Sequence, residues 1–487
     1  MAVPFYAALR EKYPFSRIYL LGNPVTNGIY RHSQLIDRFL DNPLDPFLSP
    51  IGTGAPVNLK QLMEGISELV KRLVSEQFDL LYNLQVLPMT AVLAGLSGAR
   101  ECTGMTVAGD GMPVIYGNIW APYLFGVSAS LMRPYNRLHR TEILLRMLGT
   151  HETPTIRPIA FIAPESIREM QAYLDDRGIK DNDFLVGLTP LANSPVKMWK
   201  NFEQLIKVMA DRYDARIILF GSPQEDQAIS ELMAGAGTPA IKATHFNMNH
   251  LMAAITGCDL FISNDTGPMH LASLLDRKII ALFGPTTLLE VGPWSSAHIA
   301  LQSKHCNSCY KVHCEVKPNC MDHISVEDVI CAVDFLLNGD QQSRSRLSPD
   351  VMWHTSGDGA SFSGEVEDFI AHNYLGYLEN TVTGAGKKER TAPERNKPSP
   401  HPEGVLRFCM SFKKQIEEVL ALLDNRGPAH MLIKANRHIA TQCGFLKNII
   451  VFNDMKFLDK RRSIVQDPQA YRMYYKGILS DMESFIA

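Results

Sequence analysis

CDLFISNDTGPMHLASLLDRKIIALFGPT, residues 258–286, is the stretch whose reading decides the fold. Leu260-Phe261-Ile262-Ser263 is apolar and free of turn residues, which predicts a short buried strand. Asn264-Asp265-Thr266-Gly267 predicts a tight turn into a helix whose apolar face is Met269, Leu271, Ala272, Leu274 and Leu275. Ile279 to Phe283 reads as the next strand, closed by Gly284-Pro285-Thr286. The whole is one strand–turn–helix–strand unit of a parallel sheet. A helix start of this kind offers unpaired N–H groups and a positive dipole end to an anion. Thr266 adds a hydroxyl donor, and Gly267 has no Cβ to block close approach. The plainer alternative is that Asp265 or Thr266 only caps the helix.

Working outward, 487 residues predict about three domains with enough apolar content for full cores. A net charge of −3 gives no reason to expect nucleic acid as a partner. Arg10, Glu11 and Lys12 interrupt any apolar signal-peptide core, and the most apolar long stretch, 78–97, is broken by Asp79, Asn83, Gln85 and Pro88. The expectation is a soluble, cytoplasmic protein, with peripheral contact at the inner face of a membrane left open.

Four of the nine cysteines, Cys306, Cys309, Cys314 and Cys320, follow the spacing C-x2-C-x4-C-x5-C. In a cytosolic chain that crowding favours a structural metal over disulfides, as zinc or as an iron–sulfur cluster. The spacing is standard for neither, and reduced thiols in a surface loop are the alternative. His305, His313 and His323 lie nearby and read as solvated. Cys102, Cys258, Cys331, Cys409 and Cys443 read as small core residues.

Helix over 3–13, strand over Arg17–Gly22, helix over 58–75, strand over Phe78–Leu84 and helix near 88–97 alternate as in a parallel α/β domain, expected to span 1–155. Residues 156–183, with a helix over Pro164–Arg177, read as an interdomain connection. A second α/β domain is expected over 184–344, carrying the cysteine loop at 303–323 and a helix begun by a Ser325/Asp328 capping pair. Residues 345–404 read as tail and flexible linker, rich in Pro, Gly and charge from 381, and 405–487 as a helical module.

Two loops of the second domain join the opening motif. After the strand at Val186 comes TPLANSPVKMW, 189–199, with small polar groups ahead of Lys197 at a strand's carboxyl end: a reasonable phosphate grip, or a solvated lysine. After Gly221 comes SPQED, where Glu225 is placed to accept from ribose hydroxyls or to stabilise a helix dipole.

SNDTGPMHLA (263–272) with ALFGPT (281–286) and Lys197-Met198-Trp199 resembles the family 9 glycosyltransferases, the lipopolysaccharide heptosyltransferases and their relatives. The resemblance covers roughly 3–340, including NPVTNGIYRHSQLIDRFL (23–40) and FDLLYNLQ (78–85). It implies the GT-B fold, two facing Rossmann-like domains, here with the helical module appended. It implies transfer of a heptose-like sugar from a nucleoside diphosphate, ADP-heptose, to a lipopolysaccharide-core or related glycan acceptor, with inversion and no catalytic metal. Residue by residue, it implies that Asn193, Ser194 and Lys197 hold the diphosphate, that Glu225 holds the ribose and that Phe246 packs on the base. Asp265, Thr266 and Gly267 would meet sugar and phosphates, with His270 one helical turn on.

One departure follows. The family opens with a strand and a glycine-containing turn bearing an aspartate that serves as general base, whereas Val3 to Pro14 here resembles the helix after that turn. The catalytic residue therefore goes unassigned. Two expectations stand: the true start lies upstream, or the chain is a truncated relative. A nucleotide-sugar epimerase or hydrolase, or a non-catalytic relative, is the rival function. The acceptor side offers only a basic run, Arg133, Arg137, His139 and Arg140.

Overall fold

The structure, a computed structural model, describes residues 1–42, 59–108, 111, 113–128, 136, 138–155, 161–295, 297–306, 308–310, 314, 317–340 and 342–355. The expected linker at 381–404, the helical module at 405–487, Cys409, Cys443, His313, Arg133 and Arg137 lie outside these residues.

The chain opens with α1 (Val3–Lys12), β1 (Tyr19–Gly22), α2 (Pro24–Asn27) and β2 (Arg38–Asp41). Then come α3 (Leu59–Ser75), β3 (Leu80–Asn83), α4 (Pro88–Leu96), β4 (Glu101–Val107), β5 (Pro113–Tyr116) and α5 (Trp120–Ser128). Two helices, α6 (Arg140–Leu148) and α7 (Pro164–Asp175), lead into β6 (Leu185–Thr189), α8 (Phe202–Tyr213), β7 (Arg216–Phe220), α9 (Asp226–Ala236) and β8 (Ala240–Ala243). The chain continues through α10 (Met248–Gly257), β9 (Leu260–Asn264), α11 (Gly267–Leu274), β10 (Lys278–Phe283), α12 (Leu288–Val291) and β11 (His298–Ser303). It closes with α13 (Val326–Asn338) and β12 (Val351–Thr355).

Among the described residues, 1–40 form one compact unit with 136–355, and 59–128 belong to a second. The expected single domain over 1–155 is thus divided, because Val3, Ile18, Tyr30 and Ile36 bury in the same apolar cluster as Phe161, Met170 and Met252. Residues 161–175 are likewise part of that cluster through Phe161, Ile162, Met170 and Leu174. In the second unit β3 pairs parallel with β4, and β4 antiparallel with β5.

The first unit is built on a seven-stranded sheet in the order β12-β11-β10-β9-β6-β7-β8. All neighbours run parallel except β11 and β12. Its central strands are apolar throughout because both faces are covered. Alternate side chains go to opposite faces. Val186, Leu188, Leu260, Ile262, Ile280 and Leu282 join α8 and α13, while Leu185, Phe261, Ile279, Ala281 and Phe283 join α7, α10 and α11. The predicted Ser325/Asp328 capping box starts α13. Edge strand β12 falls in the stretch read as tail, and extends the sheet by pairing Val351–Thr355 with β11.

The chain runs β6, β7, β8 in one direction and then returns to lay β9 on the other side of β6. Thr189 sits beside Ser263 in that register. Between β6 and β9 the strand order reverses, and the loops leaving their carboxyl ends diverge. That is the place where an open α/β sheet leaves room for a ligand.

Helix α6 carries a titratable cap. The His139 ring accepts from Thr141 N at Nδ1 (3.2 Å) and donates from Nε2 to the Gly292 carbonyl (3.0 Å), and it stacks on Trp294 at 4.6 Å. Burial pulls its pKa down to about 3, with the Gly292 bond opposing. A folded value below the unfolded ~6.5 means that the neutral ring stabilises the fold above pH ~6.5, and that this contribution is lost as pH falls toward 3. Thermal melts between pH 7 and 5 should therefore fall more gently for His139→Asn, which caps without titrating, than for the parent. Parallel slopes would contradict this.

Candidate functional site

The loop after β6 is pinned at both ends. Trp199 is buried and donates from Nε1 to the Ile324 carbonyl at 2.7 Å. Its backbone N–H donates to Asn264 Oδ1 at 3.1 Å, and Asn264 Nδ2 donates to the Pro190 carbonyl at 2.8 Å. Asn264, fully buried, thus ties the start and the finish of the 190–199 loop to the end of β9. The chain also approaches closely from β10. A Cβ on Gly284 would lie 3.0 Å from the Val196 carbonyl oxygen and 2.9 Å from Met321 Sδ, so only glycine lets the two loops pack.

That frame brings together two of the residues singled out from sequence. Lys197 Nζ donates to Asp265 Oδ2 at 2.6 Å across 68 residues. Thr286 Oγ1, at the end of β10, donates to the same oxygen at 2.7 Å. Gln302 Nε2 holds the turn that carries Thr286 by donating to the Gly284 (3.1 Å) and Thr286 (2.8 Å) carbonyls. Two hydroxyls beside this cluster have no partner among the described residues: Thr189 Oγ1 and Ser194 Oγ, on residues 5% and 8% exposed. Buried hydroxyls without a partner are costly unless something else meets them.

Gly267 opens α11 with nothing within 4 Å of where a Cβ would stand, so the protein itself does not fill the space at that helix start. Thr266 precedes it as N-cap without capping through its side chain, and its hydroxyl is 3.1 Å from Ser263 Oγ. His270 is one turn further on, and burial, with the charge of Lys197 adding, lowers its pKa to about 3. It is therefore a neutral ring at physiological pH.

The remaining sequence-derived residues follow along the same carboxyl edge, in sheet order. Glu225 lies after β7, where Oε2 accepts from Ser222 N (2.7 Å) and Ser222 Oγ (2.8 Å) in a capping box. Phe246 lies after β8, half-buried, edge-on to Tyr173 at 5.3 Å. Asn193 is exposed on the 190–199 loop. In the basic run, His139 is the α6 cap, and Arg140 pairs with buried Glu290 at 3.1 Å.

The cysteine loop passes the other side of the site. Tyr310 donates from its backbone to the Pro285 carbonyl (2.8 Å) and from its hydroxyl to Glu290 (2.9 Å). Cys306 donates to the Gly284 carbonyl at 2.9 Å, and its hydrogen bond with Cys320 brings its pKa down to about 7, while that of Cys320 is pushed up. Cys309 is exposed and Cys314 half-buried. Among the described residues, Cys306, Cys309 and Cys314 all act electrostatically on Cys320, although the four sulfurs are not all within 4.8 Å of one another.

Sequence reading missed Asn264, Thr286 and Gln302 as parts of this site. Asn264 and Thr286 stand inside the quoted motifs, and their polar side chains at the ends of apolar strands were the available signal.

Three comparisons bear on this geometry. Residues 66–320 match the family model described as glycosyltransferase family 9 (heptosyltransferase). Lipopolysaccharide heptosyltransferase 3 of Escherichia coli K12 is 26% identical over 360 residues, covering 71% of this chain and 96% of that protein. Lipooligosaccharide heptosyltransferase 2 of Campylobacter jejuni is 29% identical over 163 residues, 31% of this chain and 50% of that protein. Among solved structures, the family 9 glycosyl transferase from Veillonella parvula superposes with a TM-score of 0.56 at 22% identity, covering 70% of this chain and 93% of that one. This last likeness is one of fold, and it bears out the expected α/β, GT-B class.

Proposed function

Because the chain belongs to glycosyltransferase family 9, we propose that it transfers a heptose-like sugar from a nucleoside diphosphate, ADP-heptose, to a glycan acceptor of the lipopolysaccharide core, with inversion. The observation that carries this reading is the pair of unpartnered hydroxyls, Thr189 Oγ1 and Ser194 Oγ, beside Lys197 at the strand-order reversal. A diphosphate supplies the acceptors those hydroxyls lack.

In this reading an acceptor hydroxyl oxygen bonds to the anomeric carbon of the donor. The bond from that carbon to the β-phosphate oxygen breaks, and its electron pair leaves on the nucleoside diphosphate. The acceptor proton passes to a general base. The residues described here serve the leaving group: Lys197 and the α11 N-terminus at Thr266-Gly267 face the charge that grows on it. Asp265, itself held by Thr286, keeps the Lys197 ammonium in place. Glu225 and Phe246 extend along the same edge for ribose and base. The reaction would run in the cytoplasm, at the inner face of the cytoplasmic membrane. No helix among the described residues is long and apolar enough to cross a membrane.

The test is release of ADP from ADP-heptose with and without a heptose-bearing core acceptor. Acceptor-dependent release, with one added heptose on the acceptor by mass, is expected. Equal release without acceptor would make the protein a hydrolase instead.

A further inference from the structure

Away from that site, the described residues gather three metal-ligating side chains at one spot. The ligand atoms of His305, His323 and Asp350 all lie within 4.8 Å of one another. His305 follows β11, His323 ends the 3-10 turn Cys320–His323, and Asp350 stands immediately before β12. His305 Nε2 is 3.0 Å from Asp350 Oδ1, and the two imidazole rings are 4.6 Å apart, centroid to centroid.

We propose that these three side chains bind a transition-metal dication of the zinc class. Two imidazoles and one carboxylate are a donor set that such ions accept. Bonds of 2.0–2.2 Å from zinc put donor atoms about 3.3 Å apart; His305 Nε2 and Asp350 Oδ1 are 3.0 Å apart, and all three donors lie within 4.8 Å of one another. Exposure of His305 and Asp350, at 54% and 52%, leaves the remaining coordination positions to water.

An ordinary ion pair accounts for His305 with Asp350. It does not account for His323, which brings a second imidazole to the same spot and, among the described residues, makes no side-chain hydrogen bond of its own. The backbone has also fixed the three donors by means that need no metal. Lys304 N donates to the Asp350 carbonyl at 2.8 Å, and His305 N to Ser303 Oγ at 3.1 Å. The turn before His323 is held by Asn319 Oδ1, which accepts from Met321 N (3.0 Å) and Asp322 N (3.2 Å), and by buried Met321.

Such an ion joins both ends of the cysteine loop to the edge strand. That loop carries Tyr310 to Pro285 and Glu290 at the wall of the candidate site. The clamp would thus steady the loop through nitrogen and oxygen donors rather than through its four sulfurs.

The test uses the full chain, reduced, titrated with zinc chloride against a chromophoric chelator, with circular dichroism confirming that each variant is folded. One zinc per chain is expected. His323→Ala and Asp350→Ala should each weaken binding at least tenfold. A variant with Cys306, Cys309, Cys314 and Cys320 all changed to serine should bind as the parent does. Zinc retained by His323→Ala and lost by the serine variant would overturn the proposal in favour of the thiols. Absence of zinc binding by the parent at 100 μM free metal (on the order of a weak site's limit) would overturn it outright.

Discussion

Lys197→Ala should lower kcat/KM for sugar transfer by roughly 10²–10³-fold, the scale of losing one group that stabilises charge in the transition state. Lys197 Nζ is held at 2.6 Å from Asp265, and its side chain is only 22% exposed. Water screens it weakly, and although Asp265 offsets part of its charge, the ammonium remains a fixed, charged donor for the leaving diphosphate. Lys197→Arg should recover part of the loss, because a planar guanidinium keeps the charge but not the compact point that Asp265 holds. A stability effect accompanies the kinetic one. Without Lys197, the 6%-exposed Asp265 carboxylate keeps, among the described residues, only Thr286 as a side-chain donor, and stranding a buried charge costs up to about 3–5 kcal/mol. The double variant Lys197→Ala/Asp265→Asn separates the two effects: it should regain melting temperature but not turnover. Steady-state kinetics on the three variants decides, and unchanged kcat/KM in Lys197→Ala removes the residue from the site.

Asn264→Ala should cost about 2–6 kcal/mol of stability, from two buried groups left unpaired at about 1–3 kcal/mol each. The groups are the Trp199 N–H and the Pro190 carbonyl, both bonded to a side chain with no exposure. These are the two ends of the loop that carries Ser194 and Lys197, so KM for the donor should rise as well. Asn264→Asp keeps an acceptor for Trp199 but turns a carboxylate toward the Pro190 carbonyl, and should not rescue it. Urea melts measure the loss. A change under about 1 kcal/mol would mean that burial of Trp199 alone holds the loop.

The strand–turn–helix–strand unit over 260–283 was legible because strands covered on both faces are continuous apolar runs, and because Asn-Asp-Thr-Gly has a turn chemistry of its own. What sequence could not supply was adjacency. Lys197 meets Asp265 only because β9 returns to the far side of β6, and nothing local to either loop encodes that crossover. Glu225 was legible as a position after a strand, yet its capping box with Ser222 is as local as the reading that made it a ribose ligand. The division of residues 1–155 was not legible either. Val3, Ile18 and Tyr30 have the apolar character of any α/β core, and sequence does not say which core receives them. At the cysteine loop, counting thiols drew attention to sulfur. The nitrogen and oxygen donors gathered nearby include Asp350, beside an edge strand lying in a stretch whose composition reads as tail.

The central claim is that the loops after β6 and β9 form a diphosphate grip. Calorimetric titration with ADP and with AMP tests it most directly, since the two differ by one phosphate. The account predicts that ADP binds at least tenfold more tightly (about 1.4 kcal/mol) and that the difference disappears in Lys197→Ala. Equal affinities in the parent, or a preference for ADP that survives in Lys197→Ala, would contradict it.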